Sequence, residues 1–190
     1  MIKLLKNITG KNKALFLDRD GVINEDYGHV YQINKFHLIK NIDSLIKKAN
    51  VKNYKVIVVT NQAGIGKQLF SEDDFQKLND YMKDFFLKKN CYIDAVYHCP
   101  YHPSNDVGKY LGHSYDRKPN PGMLLKAQKD FNLDMAKSIF IGDKISDMKA
   151  GNNALVKTNI LFNKDKNQNQ NKSSGNFIEI NCLKEALKYL

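Results

Sequence analysis

Ala14-Leu15-Phe16-Leu17-Asp18-Arg19-Asp20-Gly21-Val22 is the stretch that decides the fold. Four apolar residues in a row read as a short buried strand, and Gly21 turns the chain after the second carboxylate. Positions two apart in an extended chain share a side. Asp18 and Asp20 therefore present both carboxylates at the strand's carboxyl end, where open α/β sheets bind ligands. Two such groups invite a divalent cation, because their mutual repulsion needs an opposite charge. An isolated D-x-D is more often an acidic turn. Three features further along the chain decide otherwise.

Val56-Ile57-Val58-Val59 is a second buried strand, and it runs into Thr60-Asn61-Gln62-Ala63-Gly64-Ile65-Gly66. A hydroxyl and an amide followed by glycines can cradle a phosphate. No Gly-Lys-Ser/Thr follows, so this is not a nucleotide-binding P-loop. Ile93 to His98 predicts a third strand. Arg117-Lys118-Pro119-Asn120-Pro121-Gly122 then leads into a helix from about Met123 to Asp130; alone, that basic pair would read as surface decoration. Ile139-Phe140-Ile141-Gly142 is the fourth strand and ends in Asp143-Lys144-Ile145-Ser146-Asp147, with Asp147 in the first turn of a helix. Thr158 to Phe162 predicts a fifth strand, Phe177 to Ile180 an edge strand, and Leu183 to Leu190 a terminal helix.

Between the strands, Leu38 to Asn50 has helical spacing at Ile42, Leu45, Ile46 and Ala49. Ser71 caps a helix running to about Lys89, with Phe75, Leu78, Met82 and Phe85 on one face. The alternation of strands and helices predicts an α/β fold, a doubly wound, Rossmann-like parallel sheet with helices on both faces. Asn24 to Phe36 is either a substrate-touching loop, through Asp26-Tyr27-Gly28-His29, or a connector.

The length of 190 residues predicts a single domain spanning 1–190. Residues 99–116 form a long polar loop within it, and 163–176 is a Lys/Asn/Gln/Ser tract with almost nothing to bury, expected to be mobile. The net charge of +10 raises the question of a polyanionic partner, but Arg19 and Arg117 are the only arginines among the 30 basic residues. Specific nucleic-acid readers depend on arginine forks, so no nucleic-acid partner is expected. No run is long enough to span a membrane, and Met1–Asn12 lacks a signal peptide's apolar block. The three cysteines, Cys91, Cys99 and Cys182, form no disulfide pattern and suit a cytoplasmic location.

Four successive strand ends thus deliver acids for a cation, and hydroxyl and lysine for anionic oxygens, which is the inventory of a phosphoryl-transfer site. D-x-D-G at 18–21, T-N at 60–61, K-P at 118–119 and G-D-x-x-x-D at 142–147 resemble, in order, the four motifs of the haloacid dehalogenase-like (HAD) phosphatases. Finer features resemble the branch of heptose 1,7-bisphosphate 7-phosphatases and histidinol-phosphate phosphatases. They are D-R-D-G-x-I-N at 18–24, G-H-V at 28–30, T-N-Q-x-G-I at 60–65, C-P-x-H-P at 99–103, R-K-P-x-P-G-M at 117–123 and G-D-K-x-x-D-M at 142–148.

The resemblance implies an HAD-like fold without a large cap domain, a monomer, and a small phosphorylated sugar as substrate. It implies Asp18 as nucleophile and Asp20 as the acid for the leaving alkoxide and then the base for water. Mg²⁺ would lie on the Asp18 carboxylate, the Asp20 backbone carbonyl and Asp143. Thr60 and Lys118 would hold the phosphoryl oxygens. Asn61, Gln62, Arg117, Lys144 and the Asp26, Tyr27, Gly28, His29 loop would contact the rest of the substrate.

One feature departs from the branch, whose long loop typically carries zinc on C-x-H and a later C-x-C. Here Cys99 survives, Tyr101 takes the histidine's place, and Ser114 and Asp116 replace the second cysteine pair. Cys99, His102, His113 and Asp116 could rebuild a site only along a different loop path, so no zinc is expected. The alternatives are a histidinol-phosphate phosphatase, a DNA 3′-phosphatase sharing D-x-D-G and T-N-Q-x-G-I, and a non-catalytic module on the same fold. The last needs damaged motifs, and Asp18, Asp20, Thr60, Lys118 and Asp143 are all in place.

Overall fold

A computed structural model describes residues 11–104, 108–164 and 176–190. Most of the 163–176 tract lies outside these residues. Six strands form one sheet: β1 (Lys13–Leu17), β2 (Tyr54–Asn61), β3 (Ala95–Cys99), β4 (Ile139–Gly142), β5 (Thr158–Phe162) and β6 (Ile178–Ile180). Every neighbouring pair is parallel, in the order β3-β2-β1-β4-β5-β6. Parallel strands need crossover helices, which cover both faces, and this explains the unbroken apolar runs of β1 and β2.

Alternate residues of each strand serve opposite cores. Leu15, Leu17, Val56, Val58 and Ile141 face one layer, with α1 (Ile42–Val51), α3 (Glu72–Lys88) and α6 (Leu183–Ala186) packed on it. Ala14, Phe16, Ile57, Val59 and Phe140 face the other, against α4 (Gly122–Phe131) and α5 (Ile145–Asn153). The first strand is wholly buried from Ala14 to Leu17. It sits between β2 and β4, where the strand order reverses, so the carboxyl ends of β1, β2 and β4 open onto one crevice.

The elements depart from sequence expectation mainly at their ends. Helix α1 starts at Ile42 because Leu38 pairs with Asn24 and Asn41 is left-handed at φ 72°. Strand β3 starts at Ala95, because the Asp94 carboxylate accepts a bond from Val56 N (2.8 Å) and pairs with Lys55 (2.9 Å). Phe86, rather than Phe85, completes the fully buried face of α3. The terminal helix tightens into a 3₁₀ turn at Leu187–Tyr189.

Thr60 and Asn61 belong to β2 itself, and Ala63–Gly66 forms a single helical turn, α2. Gly64 is closely packed: a Cβ would lie 2.2 Å from the Phe70 ring and 2.9 Å from His29 Nδ1.

Candidate active site

The D-x-D turn departs from the extended reading: β1 ends at Leu17, so the Asp18 carboxylate joins those of Asp143 and Asp147 while the Asp20 carboxylate meets donors of its own. Arg19 N donates to Asp18 Oδ1 (2.7 Å), and Arg19 O collects the amides of Val22, Ile23 and Asn24, which folds the chain back after β1. Gly21 holds φ +90°, and a Cβ there would stand 2.3 Å from Asp143 Oδ2. Only glycine lets β1 and β4 bring their carboxylates this close.

Lys118 is the hub. Its ammonium lies 2.9 Å from Asp18 Oδ1 and 2.7 Å from Asp147 Oδ1, and it donates to Val59 O at 2.9 Å. The Asn61 amide clasps the Lys118 backbone, accepting from its N–H and donating to its carbonyl, each at 3.0 Å. Asn61, expected to touch substrate, therefore also fixes where Lys118 stands. Burial works against the Lys118 charge, but Asp147 and Asp18 hold its pKa above the usual lysine range.

Asp18, Asp143 and Asp147 bring carboxylate oxygens within 4.8 Å of one another, the one such group among the described residues. Burial, with Asp147 and Asp143 adding repulsion, pushes the Asp18 carboxyl up to about 7 against the pull of Lys118. Asp143 is raised in the same way, first by burial, and its Oδ1 is buried and accepts no hydrogen bond. Three crowded carboxylates, one with an orphaned oxygen, are a donor set that fits a hard divalent cation. Asp147 is the member for which the sequence offers no role; its place in the first turn of α5, just after the strand end that carries Asp143, is the available signal.

The Asp20 side chain faces a different set. It accepts from Arg19 Nε (3.2 Å) and Nη2 (2.9 and 3.0 Å), Asn24 Nδ2 (2.9 Å) and Gln62 Nε2 (3.0 Å). Gln62 Nε2 also donates to Thr60 Oγ1 at 2.8 Å. Gln62 thus links the acid to the hydroxyl, in addition to lining the pocket.

Above these groups lies a cleft of about 380 Å³, lined by Asp18, Asp20, Asp26, Gly28, His29, Thr60, Asn61, Gln62, Arg117, Lys118 and Lys144. The structure therefore gathers the residues expected for catalysis and substrate contact, with two qualifications. Asp143 lies beneath the cleft, against Gly21 and Lys144 (3.6 Å). Tyr27 is exposed, edge-on to His37, on the outer side of its loop. Lys144 pairs with Asp26 at 3.1 Å, and although burial opposes it, Asp143, Asp26 and Asp18 raise its pKa. Arg117 Nη1 donates to Tyr101 O at 3.1 Å.

His102 and Lys67 also line the cleft. From the sequence, His102 is the histidine of the C-P-x-H-P motif and a zinc candidate, and Lys67 carries no expected role. The Lys67 ammonium meets no carboxylate or hydrogen-bond acceptor among the described residues. The zinc candidates have separate partners. Cys99 is buried, which raises its thiol pKa against the hydroxyl of Ser114. Asp116 pairs with Lys126, His102 Nδ1 accepts from Ser104 N (3.2 Å), and His113 is exposed. Among the described residues, no helix is long and apolar enough to cross a membrane.

The chain is similar to proteins named as phosphatases. The profile of the family described as polynucleotide kinase 3 phosphatase matches residues 14–180. The D-glycero-alpha-D-manno-heptose-1,7-bisphosphate 7-phosphatase of Burkholderia mallei is 53% identical over 152 residues, 80% of each chain. The corresponding beta-heptose enzyme of Haemophilus influenzae is 42% identical over 150 residues, 79% of this chain and 81% of that one. Among solved structures, a D,D-heptose 1,7-bisphosphate phosphatase from B. bronchiseptica, complexed with magnesium and phosphate, superposes with a TM-score of 0.79. It is 22% identical and covers 93% of this chain and 96% of that one.

Proposed function

Because this chain belongs to the polynucleotide kinase 3 phosphatase family, we propose that it is a phosphatase that removes the 7-phosphate of D-glycero-D-manno-heptose 1,7-bisphosphate, working with Mg²⁺. The observation that carries the reading is the single cleft in which Asp18, Thr60 and Lys118 face a ring of further cations. The names of its relatives supply the substrate.

Asp18 attacks phosphorus and the ester P–O bond breaks, giving an aspartyl-phosphate. Asp20 gives a proton to the departing alkoxide and takes one from the water that then attacks the intermediate. Lys118 and Thr60 hold the phosphoryl oxygens throughout, preorganised by Asn61 and Gln62. Asp18 and Asp143, with the Asp20 backbone carbonyl, would hold Mg²⁺, and Asp147 adjoins them. When bound, the ion supplies the charge that lets an anionic nucleophile approach an anionic ester.

Arg117, Lys144 and Asp26–His29 would hold the sugar and its second phosphate, and Lys67 supports this as an unmatched cation on the wall. We take the enzyme to be a cytoplasmic, single-domain monomer, in keeping with its free cysteines and uncapped sheet.

The test is phosphate release by purified protein with Mg²⁺ from both anomers of the heptose bisphosphate, from histidinol phosphate and from 3′-phosphorylated DNA. Preferred turnover of a heptose bisphosphate is expected. Efficient turnover of DNA ends with poor sugar-phosphate activity would overturn the substrate assignment.

A further inference from the structure

Arg19 is the largest fully buried side chain among the described residues, and no role in the proposed chemistry accounts for it. Burying a guanidinium is costly unless its donors are matched. Here Nε and Nη2 grip the Asp20 carboxylate from one side, while Nη2 also donates to Val30 O at 2.5 Å and lies 3.4 Å from Gln62 Oε1. Nη1 is buried without an acceptor, and the guanidinium carbon stands 5.5 Å from the centre of the Phe75 ring. The side chain thus lies under the active site and does not line the cleft. Its planar fork fixes both oxygens of Asp20, which a single-point ammonium could not do. Its bond to Val30 O ties the same group to the loop whose Gly28 and His29 line the cleft.

We propose that Arg19 is a positioning residue for the leaving-group acid, aiming the Asp20 carboxyl at the ester oxygen and holding it in register with the 28–30 loop. The inference rests on the reading of Asp20 as that acid. In the first half-reaction the P–O bond breaks, its electron pair leaves on the alkoxide, and that oxygen takes the Asp20 proton. A misaimed carboxyl therefore costs most when the leaving group is a poor one. An alkoxide needs the proton; a 4-nitrophenolate leaves without it.

The experiment compares wild type, Arg19→Lys, Asp20→Asn and the double variant on a sugar phosphate and on 4-nitrophenyl phosphate, with Mg²⁺ present and folding checked by thermal melting. Positioned acid catalysis contributes on the order of 100-fold or more. Arg19→Lys should lose on that order in kcat/KM, which reads only the steps through aspartyl-phosphate formation, on the sugar phosphate and about tenfold or less on the aryl ester. Adding it to Asp20→Asn should cost little more on the sugar phosphate, since residues acting as a unit are not additive. Equal losses on both substrates, or full additivity in the double variant, would make Arg19 a merely structural residue and overturn the proposal. If Asp20→Asn itself shows no leaving-group dependence, the acid assignment fails instead. Should Arg19→Lys not fold, Arg19→Gln carries the same comparison, and failure of both to fold would likewise assign Arg19 to the fold alone.

Discussion

Replacing Lys118 by Met tests the electrostatic design of the site most directly. The change keeps the stem and removes a charge that is 4% exposed and bound to two carboxylates and a carbonyl. Removing one partner of a buried ion pair leaves the other uncompensated and typically costs about 3–5 kcal/mol. For a domain of this size that corresponds to a fall in Tm of roughly 6–20 °C. The loss should depend on pH. Burial already raises the Asp18 carboxyl from 3.8 to about 7 against the pull of Lys118, and without the ammonium it rises further. A carboxyl whose pKa is higher folded than unfolded favours the fold when protonated and penalises it when ionised. The penalty is therefore full above the folded pKa and fades as pH falls toward the unfolded value. Thermal melts of metal-free wild type and Lys118→Met at pH 5.5 and pH 8 should show the larger gap at pH 8. Turnover of the folded variant should fall on the order of 100–1000-fold. A gap that is the same at both pH values, or no gap at all, would refute the reading of Lys118 as the counter-charge of the carboxylate cluster.

Three further outcomes are expected. Asp18→Asn should abolish turnover while preserving the fold, because it removes the nucleophile at constant side-chain size; folded variant with near-normal phosphate release would exclude Asp18 as nucleophile. Lys67→Ala should raise KM for a sugar bisphosphate about tenfold, the loss of one exposed-side ion pair in a partly closed cleft, while leaving KM for 4-nitrophenyl phosphate nearly unchanged; equal effects on the two would remove Lys67 from the substrate's second anionic group. Activity with Mg²⁺ should survive treatment with a zinc-selective chelator, and elemental analysis should find no stoichiometric zinc, since Cys99, Asp116 and His102 each have another partner; one zinc per chain would contradict this.

The central strands β1, β2 and β4 were legible because each carries an unbroken apolar run of a kind that a sheet covered on both sides demands, as Ala14–Leu17 and Ile139–Gly142 illustrate. The strand-end positions of Asp18, Thr60 and Asp143 followed from those runs. What remained hidden depends on contacts between residues distant in sequence. Nothing local to Asp147 announces that Lys118 will reach it, and nothing in Asp18-Arg19-Asp20 shows that the arginine between two acids turns inward. The start of α1 was missed for a similar reason, since Leu38 is drawn into a pairing with Asn24 that competes with the helix. The packing of Gly64 against Phe70 and His29 is another such contact, because glycines in a strand-end turn serve backbone approach and side-chain packing equally well.

The place of β1 also bears on how the chain is made. It precedes the other described strands in the sequence, yet one of its two edges is completed only by β4, at Leu15 to Leu17 opposite Ile139 to Ile141. Its Ala14 amide likewise waits for the Ser138 hydroxyl, 124 residues away. Such distant pairings make folding slow, because the cost of closing the intervening chain comes before any contact rewards it. During translation the nascent chain therefore carries a bare edge on an apolar strand until β4 has emerged. An unpaired edge of this kind is a template for association with other chains. The carboxylates of Asp18 and Asp143 can meet only when that edge closes, so the step that ends the exposure is the same step that assembles the proposed site.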